Sequence, residues 1–253
     1  YGNRYYDPQI GRFHTQDAFA EKYISMTPYQ YGANNPIKYI DVNGDSPYLV
    51  IWATQNGNIG HAGVAVDNYK KDDKGNYITD KDGNYIPDGT VTYYDLWPAT
   101  GVGKDNANQD VTPYYGKTVT TLDAVMNTDV TGSEGYAPDG VVSLGTDFQT
   151  DQTVMNTMES IRQENKDYNG YYWNCSTFAR EGVNAAAEST GQYGVSGVEI
   201  VAGKFSVTPN QLYNETRGLQ NATVLKNPGA KVNHSFIEGV RGKTTEKIVN
   251  KTK

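Results

Sequence analysis

Residues 46–220 predict an α+β domain. Apolar runs of strand length come first, and two stretches with helical stripes follow. Gly, Pro, Asn and Asp pairs punctuate the intervals between them. The run Tyr48-Leu49-Val50-Ile51-Trp52-Ala53 is continuously apolar and suits a buried strand. His61-Ala62-Gly63-Val64-Ala65-Val66 is a second strand, and Thr90 to Trp97, closed by Pro98, a third. Between them, residues 70–89 hold a near-repeat, Lys74-Gly75-Asn76-Tyr77 then Asp82-Gly83-Asn84-Tyr85, whose Lys-Gly and Asp-Gly turns predict a β-hairpin. Asp72, Asp73, Asp80 and Asp82 gather there, but the ligand spacing of an EF-hand is missing, so a solvated hairpin is expected rather than a calcium loop.

Residues 101–116 lack periodicity and read as loop. Val119–Met126 fits a short helix or strand, and Val141-Val142-Ser143-Leu144 a strand. Asp151–Glu164 places Val154, Met158 and Ile161 on one helical face. Asn174–Ser189 does the same with Cys175, Phe178, Ala179, Gly182, Val183 and Ala186, and Gly191 follows as a stop. Thr208-Pro209 opens a short helix as cap and first residue. Residues 221–253 are basic and polar and are expected to be a frayed tail. Residues 1–45, rich in Tyr, Asn, Pro and Gly, predict short strands and tight turns, too few to fold alone.

Composition narrows the function classes. The chain has 253 residues, with 22 Lys+Arg against 29 Asp+Glu and a formal net charge of −7. An acidic balance with no basic cluster argues against a nucleic-acid partner. One cysteine excludes an intramolecular disulfide and a multi-cysteine zinc site. Three histidines, His14, His61 and His234, leave little for a histidine-rich metal centre, so neither metal nor cofactor is expected. Hydrophobic residues reach only 37%, but 21 tyrosines add area to bury, and a globular chain is expected. No apolar run approaches the roughly 18 residues of a membrane span. The opening residues do not form a signal peptide, and Tyr1 is not a start methionine, so a fragment of a longer chain is expected.

Cys175 falls in the first turn of its helix. Unpaired N–H groups and the helix dipole stabilise a thiolate there and can hold an oxyanion on a substrate. The plain alternative is a small buried hydrophobe. His61 starts a strand between two glycines, where another chain can approach closely. A strand histidine facing a helix-start cysteine, oriented by a third polar group, is a nucleophile–base arrangement. Asp95 is the only carboxylate of the third strand. It is either that orienting group, held against the far ring nitrogen by an adjacent antiparallel strand, or a surface aspartate.

The order Gly60-His61-Ala62-Gly63-Val64, then Tyr93-Tyr94-Asp95-Leu96-Trp97, then Asn174-Cys175-Ser176-Thr177-Phe178 resembles the circularly permuted papain-like cysteine hydrolases of the NlpC-type clan. The resemblance spans roughly residues 48–215. It implies an antiparallel sheet packed against the cysteine helix, with Cys175 as nucleophile, His61 as base and Asp95 as orienter. It also implies an oxyanion role for the amide six residues before the cysteine, here Asn169.

The first 45 residues resemble the segment that closes the core of RHS-repeat proteins, through Asn3-Arg4-Tyr5-Tyr6-Asp7-Pro8-Gln9-Ile10-Gly11-Arg12-Phe13 and Tyr29-Gln30-Tyr31-Gly32-Ala33-Asn34-Asn35-Pro36. Its end is similar to that family's autocleavage segment, with Pro36, Asp41, Gly44 and Asp45 at the marked positions. Val42 stands where the family has Pro, and Asp45 where many members have Leu.

Together the resemblances imply a three-part chain: an RHS remnant over 1–45, a papain-like cysteine hydrolase toxin over 46–220 and a polar tail over 221–253. Such a toxin is secreted, for example by type VI secretion, into a rival bacterium. Its implied partners are the RHS shell of the full-length protein and a cognate immunity protein. Peptidoglycan peptide is the first expected substrate. A protein or lipid acyl substrate inside the target cell is the alternative, and a non-enzymatic binding module is the rival of another class. A nuclease toxin conflicts with the acidic charge.

Overall fold

The computed structural model describes residues 6–7, 12–13, 46–54, 59–102 and 106–233. His14, His234 and the autocleavage positions Pro36, Asp41, Gly44 and Asp45 lie outside the described residues. The chain divides into two units, Tyr1–Gly44 and Asp45–Lys253, one residue before the boundary drawn from the sequence. In the first unit, β1 (Tyr6–Asp7) pairs antiparallel with β2 (Arg12–Phe13), Tyr6 opposite Phe13.

The second unit is α+β. Its main sheet holds β3 (Tyr48–Trp52), β4 (His61–Tyr69), β5 (Pro87–Pro98), β6 (Pro113–Thr120), β7 (Gly140–Ser143) and β10 (Thr223–Lys226). The order is β10-β7-β3-β4-β5-β6, and every neighbouring pair is antiparallel. Four helices, α1 (Leu122–Asn127), α2 (Phe148–Glu164), α3 (Cys175–Ser189) and α4 (Pro209–Thr216), join a small hairpin of β8 (Val198–Val201) and β9 (Lys204–Val207).

The unbroken apolar run of β3 follows from its central position. Leu49 and Ile51, with Ala62, Val64, Tyr94 and Leu96, share one core with Val154 and Met158 of α2 and Phe178, Ala179 and Val183 of α3. Tyr48, Val50 and Trp52, with Ala65 and Tyr93, form a second core around Val125 of α1. A strand covered on both faces loses the apolar–polar alternation of a half-buried one. Gly182 lets α3 approach closely: a Cβ there would lie 3.0 Å from Met158 Sδ and 3.1 Å from Val64 Cγ2. Each of the three longer-range helix starts is capped by its preceding side chain, Asp147 on Thr150 N–H, Asn174 on Thr177 N–H and Thr208 on Gln211 N–H.

Four expectations need correction. The 70–89 near-repeat forms two successive tight loops, closed by the bridges Lys71–Tyr77 and Thr79–Tyr85, instead of one hairpin. Asp72 Oδ1 accepts the N–H groups of Lys74 and Asn76, and Asp80 Oδ1 those of Asp82 and Asn84, so each repeat closes on its own aspartate. Those carboxylates are turn formers, and among the described residues no group of three or more His, Cys, Asp or Glu suits a metal ion. Residues 113–116, read as loop, begin β6, because pairing with Asp95–Pro98 supplies what their own pattern lacks. Helix α2 starts earlier than its stripe, at Phe148, where Asp147 provides the cap. The 221–253 tail is not frayed throughout: β10 pairs with β7, Lys231 bonds the buried Asp139, and Val232 is buried. Two apolar residues, Val224 and Leu225, were too short a signal for an edge strand. Among the described residues no helix is long and apolar enough to cross a membrane.

A buried acid sits where α2 meets the sheet. Asp151 is fully buried and accepts the Tyr69 hydroxyl at 2.6 Å. Burial pushes its pKa up to about 7, against hydrogen bonds from Tyr69, Ser46 and Thr146 that act to lower it. An acid whose folded pKa exceeds its unfolded value binds more protons when folded. Its contribution is therefore greatest below pH 4 and is lost as pH rises towards 7. Asp151→Asn is expected to flatten that slope, by a few kcal/mol at most. Urea midpoints at pH 5 and pH 7.5 check this, and parallel shifts in the two proteins would refute it.

Candidate active site

The helix that carries Cys175 is fixed by its cap. Asn174 is extended, and its Oδ1 accepts the Thr177 N–H at 2.9 Å. Its Nδ2 lies within reach of Gly170 O at 3.1 Å and of Ser206 Oγ and Val207 O at 3.2 Å. One side chain thus ties the helix start to the loop before it and to β9. The cap occupies the Thr177 N–H, and Phe178 N–H begins the helical ladder on Asn174 O. That leaves the N–H groups of Cys175 and Ser176 as the orphan donors of the first turn.

His61 is placed by the glycines around it. It opens β4 directly opposite Trp52 of β3. Gly60 has φ +75°, and a Cβ there would lie 2.5 Å from Trp52 O, so only glycine admits this entry into the strand. At Gly63 a Cβ would lie 2.3 Å from the Tyr93 hydroxyl, which occupies that space.

Asp95 sits on β5 between Gly63 of β4 and Gly116 of β6. Its Oδ2 lies 3.5 Å from His61 Nε2, an ion-pair contact longer than a good hydrogen bond. The same oxygen accepts the Trp97 indole N–H at 2.7 Å. Trp97 also stacks on the His61 ring, centroids 4.0 Å apart and planes 17° apart. Trp52 flanks the ring from the other side at 5.6 Å.

Cys175, His61 and Asp95 therefore meet. The Cys175 thiol interacts with the charge of His61 and with the Ala62 backbone, and its Sγ lies 3.9 Å from Ser176 Oγ. Burial alone would lower the His61 pKa, but the charges of Cys175 and Asp95 beside it outweigh that and raise it to about 9. Burial alone would raise the Cys175 pKa, and the His61 charge lowers it instead. The two opposed shifts favour the charged thiolate–imidazolium form of the pair over the neutral one. All three side chains are buried, with residue exposures of 8% for Cys175, 1% for His61 and 2% for Asp95.

Asn169, the residue implied as an oxyanion donor, lies in the loop before α3 and pairs with Trp173. Its Nδ2 donates to Asp110 at 2.8 Å, and its Oδ1 accepts the N–H groups of Tyr171 and Tyr172. These bonds shape the 169–173 loop and use one of the two Nδ2 hydrogens, and the first-turn N–H groups of α3 are further candidate oxyanion donors. Sequence reasoning did not single out Trp97, Gly116 or the cap role of Asn174. Trp97 was within reach: it lies two residues after Asp95, hence on the same face of the strand.

Comparison of the chain with protein-family models, curated proteins and solved structures finds no match.

Proposed function

We propose that the second unit is a cysteine hydrolase with a permuted papain-like fold, the toxin part of an RHS-type protein, acting on amide bonds of the bacterial cell wall. The observation that carries the hydrolase is the buried Cys175–His61–Asp95 constellation at the start of α3, with opposed pKa shifts on thiol and imidazole. The substrate and the delivery rest on the two sequence resemblances. A cognate immunity protein belongs to the same reading.

In the first step the Cys175 thiolate attacks the substrate carbonyl, and the N–H groups of Cys175 and Ser176 bind the oxyanion. As the tetrahedral adduct collapses, the imidazolium of His61 gives its proton to the leaving amine. The neutral imidazole then takes a proton from water, which attacks the thioester. Collapse releases the acid and restores the thiolate–imidazolium pair. Asp95 holds the ring throughout and stabilises its charge.

Titration of the lone thiol tests the reading. Thiolate ultraviolet absorbance, taken as the difference from Cys175→Ser, is expected to rise with a midpoint below the ordinary cysteine value of about 8.5. His61→Ala should move it back up towards 8.5, because the charge that most opposes burial is then gone. An ordinary midpoint in the unsubstituted protein refutes the proposed chemistry.

A further inference from the structure

The carboxylate of Asp95 makes two contacts through one oxygen, and they are unequal. Oδ2 takes a full hydrogen bond from Trp97 Nε1 at 2.7 Å, while His61 Nε2 stands at 3.5 Å. The shorter, directional contact sets the orientation of the carboxylate. The imidazole is set from the same side chain, whose ring lies parallel to it at 4.0 Å. Trp97 is nearly buried, at 3% exposure, and its indole N–H needs an acceptor there. A leucine or phenylalanine would meet the packing demand alone. We propose that Trp97 is a positioning residue of the Cys175–His61–Asp95 centre: its N–H aims the carboxylate at His61, and its ring face holds the imidazole against rotation.

The inference rests on the proposed cysteine chemistry and adds a residue to it. An indole face also favours the charged imidazole, since the negative face of the π system meets the cation. The remaining titratable and charged groups near His61 are few. Asp95 faces it from β5 and Cys175 from α3. The buried Tyr93 hydroxyl lies on the same face of the sheet, with Asp129 and Glu134 of the loop after α1 acting on it. None of these takes over the bond that Trp97 makes to Asp95.

The test titrates the Cys175 thiolate in the full chain, unsubstituted, with Trp97→Leu and with Trp97→Phe. Leucine removes both the N–H and the ring face. It is expected to raise the thiol midpoint by about one pH unit, the equivalent of one cation–π contact. Phenylalanine keeps a ring and is expected to raise it less. A residue that only filled space would leave the midpoint of a folded variant where it was. Should Trp97→Leu fail to fold, benzothienylalanine at position 97 keeps the shape of tryptophan and removes only the N–H. A raised midpoint with an unchanged urea midpoint then supports the proposal. A low midpoint in the unsubstituted protein that stays put in every folded variant overturns the role of Trp97 and leaves the hydrolase standing. A midpoint near 8.5 in the unsubstituted protein overturns both.

Discussion

Bacteria that express this chain with an export signal are expected to die, and to survive when it carries Cys175→Ala or His61→Ala. The two residues act as one unit, so each substitution alone should remove nearly all turnover, on the order of 10⁴-fold or more. The structural cost is small by comparison. Cys175→Ala deletes one sulfur at the edge of the core, on the order of 1 kcal/mol. His61 is fully buried between Trp52 and Trp97, so His61→Ala leaves a cavity. Circular dichroism and a urea midpoint on each purified variant therefore accompany the growth assay. Killing confined to the exported form points to a cell-wall substrate. Cysteine-dependent killing without export keeps the catalytic pair and moves the target to a protein or lipid in the cytoplasm. Toxicity that persists in both variants, each folded, would sink the catalytic reading.

What the sequence revealed of this site, and what it hid, follows from the range of the interactions involved. Cys175 at a helix start is a local fact, set by Asn174 as cap and the stripe that follows. The glycines around His61 are local too, and the contacts their missing side chains avoid explain them: Trp52 O at Gly60 and the Tyr93 hydroxyl at Gly63. Asp95 had two open readings because its partner depends on the register between β4 and β5, which no stretch of either strand encodes alone. Trp97 shares the face of Asp95 by local spacing, but the ring it stacks on is set by that same register. Residues 113–116 and 223–226 become strands only through pairing with β5 and β7, and their own patterns are too short to declare it. Asn169 was assigned by counting back from the cysteine. The bond from its side chain to Asp110 joins segments far apart in the chain, which no local stretch declares.

Gly116 offers the most direct way to move Asp95 without touching it. It lies opposite Asp95 on β6, and a Cβ at this position would fall 1.8 Å from Asp95 Oδ1. Its φ is not positive, so alanine is compatible with the backbone and the conflict is with the carboxylate alone. Asp95 has little room to yield, since it is 2% exposed and Oδ2 is held by Trp97. Gly116→Ala is therefore expected to turn the carboxylate away from His61. The loss of that alignment should lower turnover of an activated ester by about 10²-fold, as misplacement of a catalytic group does. The stability cost should stay near 1–3 kcal/mol, the usual range for overpacking. A double-mutant cycle separates this from general damage to the sheet. If Gly116 acts through Asp95, adding Gly116→Ala to Asp95→Ala changes turnover little, because the group it displaces is already gone. Losses that instead multiply would show that β6 supports the centre by another route. An unimpaired Gly116→Ala enzyme would show that the position of Asp95 does not matter to the chemistry. The glycine is thus a probe of the orienting role that the 3.5 Å contact to His61 suggests, independent of the charge change that every substitution of Asp95 by a neutral residue also brings.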